Sequence, residues 1–129
     1  MSRTMLVVGN WKMNGLRAQL GDVEAIGAVA AEYPGVEVGL CLPATLIAAA
    51  AGAAAHRAGG AFIGAQDCHA MPSGAHTGCL SAAMLKEAGA SYVIVGHSER
   101  RTDQHESSID VAAKALAARA GIRTDVRGY

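Results

Sequence analysis

The sequence predicts an α/β protein in which helices cover a parallel sheet, and two observations carry that prediction. Short apolar runs alternate with helical stretches four times, at a period of about 25 to 31 residues. Polar or titratable side chains stand after each run, where a parallel sheet presents its ligands. Strand, crossover helix and returning strand imply parallel pairing with right-handed connections. Periodicity alone leaves a doubly wound sheet and a closed barrel both open. No GxGxxG follows the first strand, which argues against a dinucleotide site.

Met5 to Val8 reads as the first strand, ending at Gly9 and opening into Asn10-Trp11-Lys12-Met13-Asn14-Gly15. Leu16 to Glu32 carries Leu16, Leu20, Val23, Ile26, Gly27 and Ala30 at helical spacing, and Tyr33-Pro34-Gly35 closes it. Val36 to Leu42 is a second strand, stopped by Pro43. Ala44 to Ala58 is a helix by its alanine content, ended by Gly59-Gly60. Ala61 to Ala65 is a third strand that delivers Gln66 and Asp67. The stretch from Cys68 to Gly78, with Pro72, Ser73 and two glycines, is long enough to be a functional loop. Ser81 caps a short helix over Ala82 to Ala88, and Gly89 ends it. Tyr92 to Val95 is the fourth strand. Ile109 to Ala120 is an amphipathic helix closed by Gly121.

Composition narrows the function classes. The chain of 129 residues carries eleven basic and eleven acidic side chains, so its formal net charge is zero. Nucleic acid or an anionic membrane as main partner would need a basic footprint, and none is present. No apolar run approaches the roughly 18 residues of a membrane span, and the N-terminus lacks the apolar core of a signal peptide. A soluble, cytoplasmic protein is expected. Cys41, Cys68 and Cys79 are too few and too scattered for a disulfide framework, and none makes a CxxC. With 4% aromatics the core must be packed from Val, Ile, Leu and Ala.

The densest chemistry lies in Tyr92-Val93-Ile94-Val95-Gly96-His97-Ser98-Glu99-Arg100-Arg101. Here β-branched and aromatic residues stop at a glycine and hand over to five polar or titratable side chains. Such a run reads as a strand buried on both faces, with His97 at its ligand-binding end. Ser98 to Arg101 can start a helical turn, whose positive end disfavours a charged imidazole. A neutral imidazole there can donate a hydrogen bond to a carbonyl. A lone histidine in this place is ordinarily a surface residue; its ten-residue setting makes it a candidate.

Gly9-Asn10-Trp11-Lys12-Met13-Asn14, Gly64-Ala65-Gln66-Asp67, Thr77-Gly78 and Val95-Gly96-His97-Ser98-Glu99-Arg100-Arg101 together resemble the triosephosphate isomerase family, from about Val7 to Gly121. The resemblance implies the (β/α)8 TIM barrel and the interconversion of dihydroxyacetone phosphate and glyceraldehyde 3-phosphate in glycolysis and gluconeogenesis, without a cofactor. Carried over, Asn10 and Lys12 are the substrate-binding pair, with Lys12 holding the phosphodianion and the developing enediolate charge. His97 corresponds to the electrophile that polarises the carbonyl. That enzyme is itself the standard instance of an imidazole kept neutral by a helix start, so this feature is inherited from the resemblance. Glu99 corresponds to a buried partner of the lysine, with a structural salt bridge weighed beside a chemical role. Trp11 packs, and Ser98 starts the helix. Gln66 and the loop from Cys68 to Gly78 correspond to the segment that reaches into a second subunit, with Thr77 near that subunit's Asn10, which implies a homodimer.

Departures from the family pattern define further expectations. Cys79 stands where the family usually has an acidic residue, which weakens that part of the dimer contact. His69, His76 and His105 match no zinc spacing, so no metal site is expected. A complete barrel takes roughly 250 residues, so the chain, taken as one unit over 1–129, is expected to hold four βα units of the barrel and to be truncated before strand five is completed. Ile122-Arg123-Thr124-Asp125-Val126-Arg127-Gly128-Tyr129 puts charges where a buried strand would hold Val, Ile or Cys. A shifted reading frame near codon 124 fits this: codons compatible with Asp125 to Tyr129, read one base later, give Met-Cys-Val-Gly. A gene sequence without a single-base insertion there would overturn that expectation. The catalytic carboxylate is expected to lie outside this chain, neither Glu99 nor Glu106 being an obvious substitute, so the chain alone is expected to be nearly inactive. Two alternatives stay open: an isomerase of another small sugar phosphate, such as a four-carbon ketose phosphate, and a non-catalytic half barrel that aggregates or pairs through its first and fourth strand edges.

Overall fold

A computed structural model describes residues 3–54 and 60–126; side chains are described for 3–52 and 60–122. Five parallel strands, β1 (Met5–Asn10), β2 (Val36–Cys41), β3 (Phe62–Ala65), β4 (Tyr92–Val95) and β5 (Arg123–Val126), lie side by side in chain order. The helices between them are α1 (Leu20–Ala31), α2 (Ala44–Ala54), α3 (Ala82–Ala88), α4 (Ser98–Asp103) and α5 (Ser108–Arg119). This order settles what periodicity leaves open. A doubly wound sheet reverses its strand order at a switch point, whereas an unbroken succession with same-handed crossovers keeps every helix on one face, as in a barrel wall.

Registers are continuous, from Met5 opposite Val36 and Gly39 opposite Phe62 to Gly64 opposite Tyr92 and Tyr92 opposite Arg123. The core lies between sheet and helices and includes Val23, Leu42, Leu46, Ile47, Ile63, Val93, Val95 and Val111. Burial of such aliphatic side chains contributes about 1.5–3 kcal/mol each, which explains how a chain with few aromatics fills its interior. All four residues of β4 are buried, matching its reading as a strand covered on both faces. On β1, by contrast, Met5 and Val7 are 66% and 50% exposed, as befits an edge strand.

Local chemistry accounts for the boundaries. The Ser81 hydroxyl accepts the Met84 amide at 3.2 Å, and Gly89 closes α3 with φ +116°, so this helix coincides with its sequence reading. Ser107 caps α5 and exchanges two bonds with Asp110 in a capping box. The first helix begins later than its apolar spacing suggests: Arg17–Gln19 forms a 3-10 turn, and the α-helix starts at Leu20. The expected end of the second helix, at Ala58-Gly59, lies outside the described residues.

After the four βα units expected, the C-terminal side carries the start of a fifth strand, Arg123–Val126, which pairs with Tyr92–Val95. Ladder bonds use only backbone N–H and C=O groups, so charged side chains do not prevent the pairing. Among the described residues the outer strands of the sheet are therefore β1 and β5, not the first and fourth strands. Residues 127–129 of the expected departure lie outside the described residues. Among the described residues, no helix is long and apolar enough to cross a membrane.

Candidate functional site

The C-terminal ends of β1, β3 and β4 bring their polar residues to one cavity of about 360 Å³. Asn10, Lys12, Gln66, Asp67, His97, Glu99 and Arg100 are among the residues that line it. Asn10 is the last residue of β1, and its side-chain oxygen accepts the Lys12 amide at 2.9 Å. Lys12 itself has φ +57°, a left-handed conformation that costs a non-glycine residue about 1–2 kcal/mol. The Gln66 amide stabilises this turn by donating to Asn10 Oδ1 at 3.2 Å and to the Lys12 carbonyl at 2.8 Å. Trp11 packs against the hydrophobic core and anchors the turn through its amide, which donates to the Cys41 carbonyl at 3.0 Å.

His97 is the N-cap of α4. Its Nδ1 accepts the Glu99 amide at 3.2 Å, and its carbonyl accepts the Arg100 amide at 2.9 Å. An Nδ1 that accepts a backbone N–H carries no proton, so the neutral ring assigned by this bond is protonated at Nε2. The Glu99 carboxylate, 3.6 Å from Nδ1, pulls the opposite way, toward a proton on Nδ1. The amide contact is the shorter, and the carboxylate is already engaged by Lys12 Nζ at 2.8 Å. Glu99 is thus the partner of the lysine, as the resemblance implies, but it is not buried: its side chain is 50% exposed. The hydrogen bond from Lys12 holds the Glu99 carboxyl below the usual carboxylate range.

A charged cluster that the sequence does not announce extends from the cavity wall, where Asp67 and Arg100 stand, to Glu106 and Lys114. Arg100 reaches Asp67 at 3.2 Å and Glu106 at 3.1 Å, while Lys114 reaches Asp67 at 2.8 Å and Glu106 at 2.7 Å. Glu106 is almost wholly buried, its side chain only 4% exposed. Burial pushes the Glu106 carboxyl up, but hydrogen bonds from Lys114 and Arg100 more than offset this and leave it below its ordinary value. Burial pushes Lys114 down, and its bonds to Asp67 and Glu106 reverse that and raise it. Beside them the Cys68 thiol, buried and next to Asp67, is pushed up to about 11 and is therefore no thiolate at neutral pH.

A carboxylate whose folded value is depressed adds stability above its unfolded value, near 4.3 for glutamate, and loses it as pH falls through the folded value. Acidification from about pH 5 to pH 3 is expected to lower the thermal midpoint through Glu106 by an amount on the order of 1 kcal/mol, or roughly 3–6 °C. A Glu106→Gln variant whose midpoint falls just as steeply over that range would contradict this.

Of the residues singled out from the sequence, Asn10, Lys12, Gln66, His97 and Glu99 come together at the cavity. Thr77 is exposed on the loop after β3; its neighbours Gly78 and Cys79 line the cavity wall. His69 and His76 stack with ring centroids 3.9 Å apart. Among the described residues no three of His, Cys, Asp and Glu converge as a metal site would require. Asp67 is noted after its strand and Glu106 is weighed as a base, but their joint engagement with Lys114 is not legible in the sequence, because Asp67 and Lys114 lie 47 positions apart. The one available signal was that Asp67 directly follows a strand.

Residues 5–124 match the family model of triosephosphate isomerase. The triosephosphate isomerase of Hyphomonas neptunium is 60% identical over 124 residues, covering 95% of this chain and 49% of that protein. That of Dinoroseobacter shibae is 60% identical over 116 residues, covering 90% of this chain and 46% of that protein. The crystal structure of triosephosphate isomerase from Bartonella henselae superposes with a TM-score of 0.89 at 44% identity, over 96% of this chain and 51% of that one. The chain thus spans about half the length of the curated relatives it matches.

Proposed function

This chain belongs to the triosephosphate isomerase family, and on that footing we propose that it supplies the Asn10, Lys12 and His97 side of an isomerase site. Residues 1–129 form the N-terminal half of one barrel domain, and the complete protein interconverts dihydroxyacetone phosphate and glyceraldehyde 3-phosphate. The observation that carries the reading is the convergence of Lys12 Nζ, the His97 ring and the Asn10 amide on one cavity at the strand ends. A lysine there attracts a phosphodianion and the charge of an enediolate. The Nε2 proton of His97 hydrogen-bonds the substrate oxygen and stabilises it as charge develops. Asn10 and Gln66 hold the Lys12 backbone in its left-handed turn and Glu99 holds its ammonium, so less ordering is left to substrate binding.

The reaction also needs a carboxylate to take a proton from the carbon next to the carbonyl. Both carboxylates that line the cavity are committed: Glu99 to Lys12, and Asp67 to Arg100 and Lys114. The base therefore comes from the part of the relatives' length that this chain does not span. The complete protein acts in the cytoplasm on a small phosphorylated triose as a homodimer, in which the loop from Cys68 to Gly78 places Thr77 against the Asn10 turn of a second copy.

A chimera tests the reading. Residues 1–121 joined to the remaining half of the Hyphomonas neptunium relative are expected to give a dimeric enzyme that isomerises glyceraldehyde 3-phosphate, and His97→Gln in that chimera to lower turnover without unfolding it. A folded chimera with no turnover would overturn the proposal.

A further inference from the structure

We propose that Asp67, Arg100, Glu106 and Lys114 form a positioning ring that sets the orientation of His97 relative to Lys12; the role given to His97 rests on the function proposed above. Each cation of the ring touches both anions, at 2.7 to 3.2 Å, so the circuit is closed and its net charge is zero. It draws together the loop after β3, helix α4, the turn between α4 and α5, and α5 itself.

Two short links connect the ring to the cavity. On one side Arg100 lies in the first turn of α4, whose Glu99 and Arg100 amides hold the ring nitrogen and the carbonyl of His97. On the other, Asp67 follows Gln66, whose side chain fixes Asn10 and the Lys12 carbonyl. A helix of six residues has almost no stability of its own. Its direction, and with it that of the imidazole, is set by what its side chains grip. Arg101 supplies a second grip, donating to the Gly96 carbonyl at 3.1 Å and to the Ser108 hydroxyl at 3.2 Å, but both partners flank α4 in the chain. Glu99 ties α4 to the Lys12 turn, and among the described residues Arg100 is the α4 side chain that reaches the loop carrying Gln66 and Asp67.

Energetics favour this reading over a simple brace. Replacing buried ion pairs by apolar side chains of similar volume is often neutral or stabilising, so four charges are a poor way to gain stability here. They do impose direction, because each oxygen and nitrogen must meet its partner. In Glu106, Oε2 takes both cations, while Oε1 is buried with no hydrogen-bond partner among the described residues. The carboxylate is oriented for the ring at the expense of its other oxygen.

Nitrogen-15 NMR of the histidine rings in this chain tests the inference without substrate, so its failure and that of the proposed activity are separable. With His97 assigned through His97→Gln, and at a pH where the ring is neutral, its two nitrogen signals are expected far apart, with the proton on Nε2. In Asp67→Asn, which is isosteric and is read first, the separation should narrow as the other tautomer becomes populated, while circular dichroism shows the same fold. Arg100→Met should narrow it further. A folded Asp67→Asn variant that melts lower but leaves the His97 signals unchanged would make the ring a structural brace and overturn the inference. A wild-type ring already averaged between tautomers would do the same.

Discussion

Assayed alone, the 129-residue chain is expected to isomerise glyceraldehyde 3-phosphate at least about 10²- to 10⁴-fold more slowly than the chimera described above. A positioned general base accounts for about that factor, and neither candidate in the cavity can supply it. Glu99 lies 2.8 Å from Lys12 and is held below the ordinary carboxylate range. To act as a base it would have to release the lysine on which substrate binding depends. Asp67 is held by two cations, and moving it would dismantle the support of α4. The second cost is positioning. Strand ends that leave Glu99 half exposed cannot exclude water from a developing enediolate, and loss of oriented binding alone can amount to several kcal/mol. The measurement is turnover of the purified chain at substrate concentrations high enough to offset weak binding. Rates within tenfold of the chimera would mean that a carboxylate in this chain does the work.

How much of this could be read from the sequence depends on the range of the interactions involved. β4 and the His97 cap coincide with their sequence reading because a β-branched run, a glycine and a helix start are all set by adjacent residues. The same holds for α3, with Ser81 at one end and Gly89 at the other. Glu99 was legible as the partner of Lys12 only through family resemblance, since 87 positions separate them. Its exposure was not legible at all, because that depends on what the fold packs around it. The Asp67 ring is the extreme case: its partners come from three elements, and no local pattern distinguishes Lys114 from any other lysine on a helix. β5 shows the converse. Arg123 and Asp125 disqualify it as a buried strand by side chain, but its backbone pairs with β4 all the same.

Gly96→Ala should destabilise the chain by about 2–5 kcal/mol. Gly96 stands between β4 and His97 with φ +70°, a region that costs alanine about 1–2 kcal/mol. An added Cβ would also lie 2.7 and 2.8 Å from the two γ-carbons of Val111 and 3.3 Å from an Arg101 nitrogen. Val111 is buried in the first turn of α5, with no room to retreat, and overpacking of this kind costs about 1–3 kcal/mol. The two terms add because one concerns the backbone of Gly96 and the other its neighbours. Relief would require α5 to move away from β4, carrying Ser108 and Lys114 with it and loosening both grips on α4. Denaturant unfolding of the single variants and of Gly96→Ala with Val111→Ala separates the terms. The smaller side chain on α5 should recover about 1 kcal/mol or more of the loss, a coupling typical of residues in contact. Strict additivity would assign the whole effect to backbone strain, and a Gly96→Ala variant as stable as the parent would show that the turn before His97 is not held in its left-handed form.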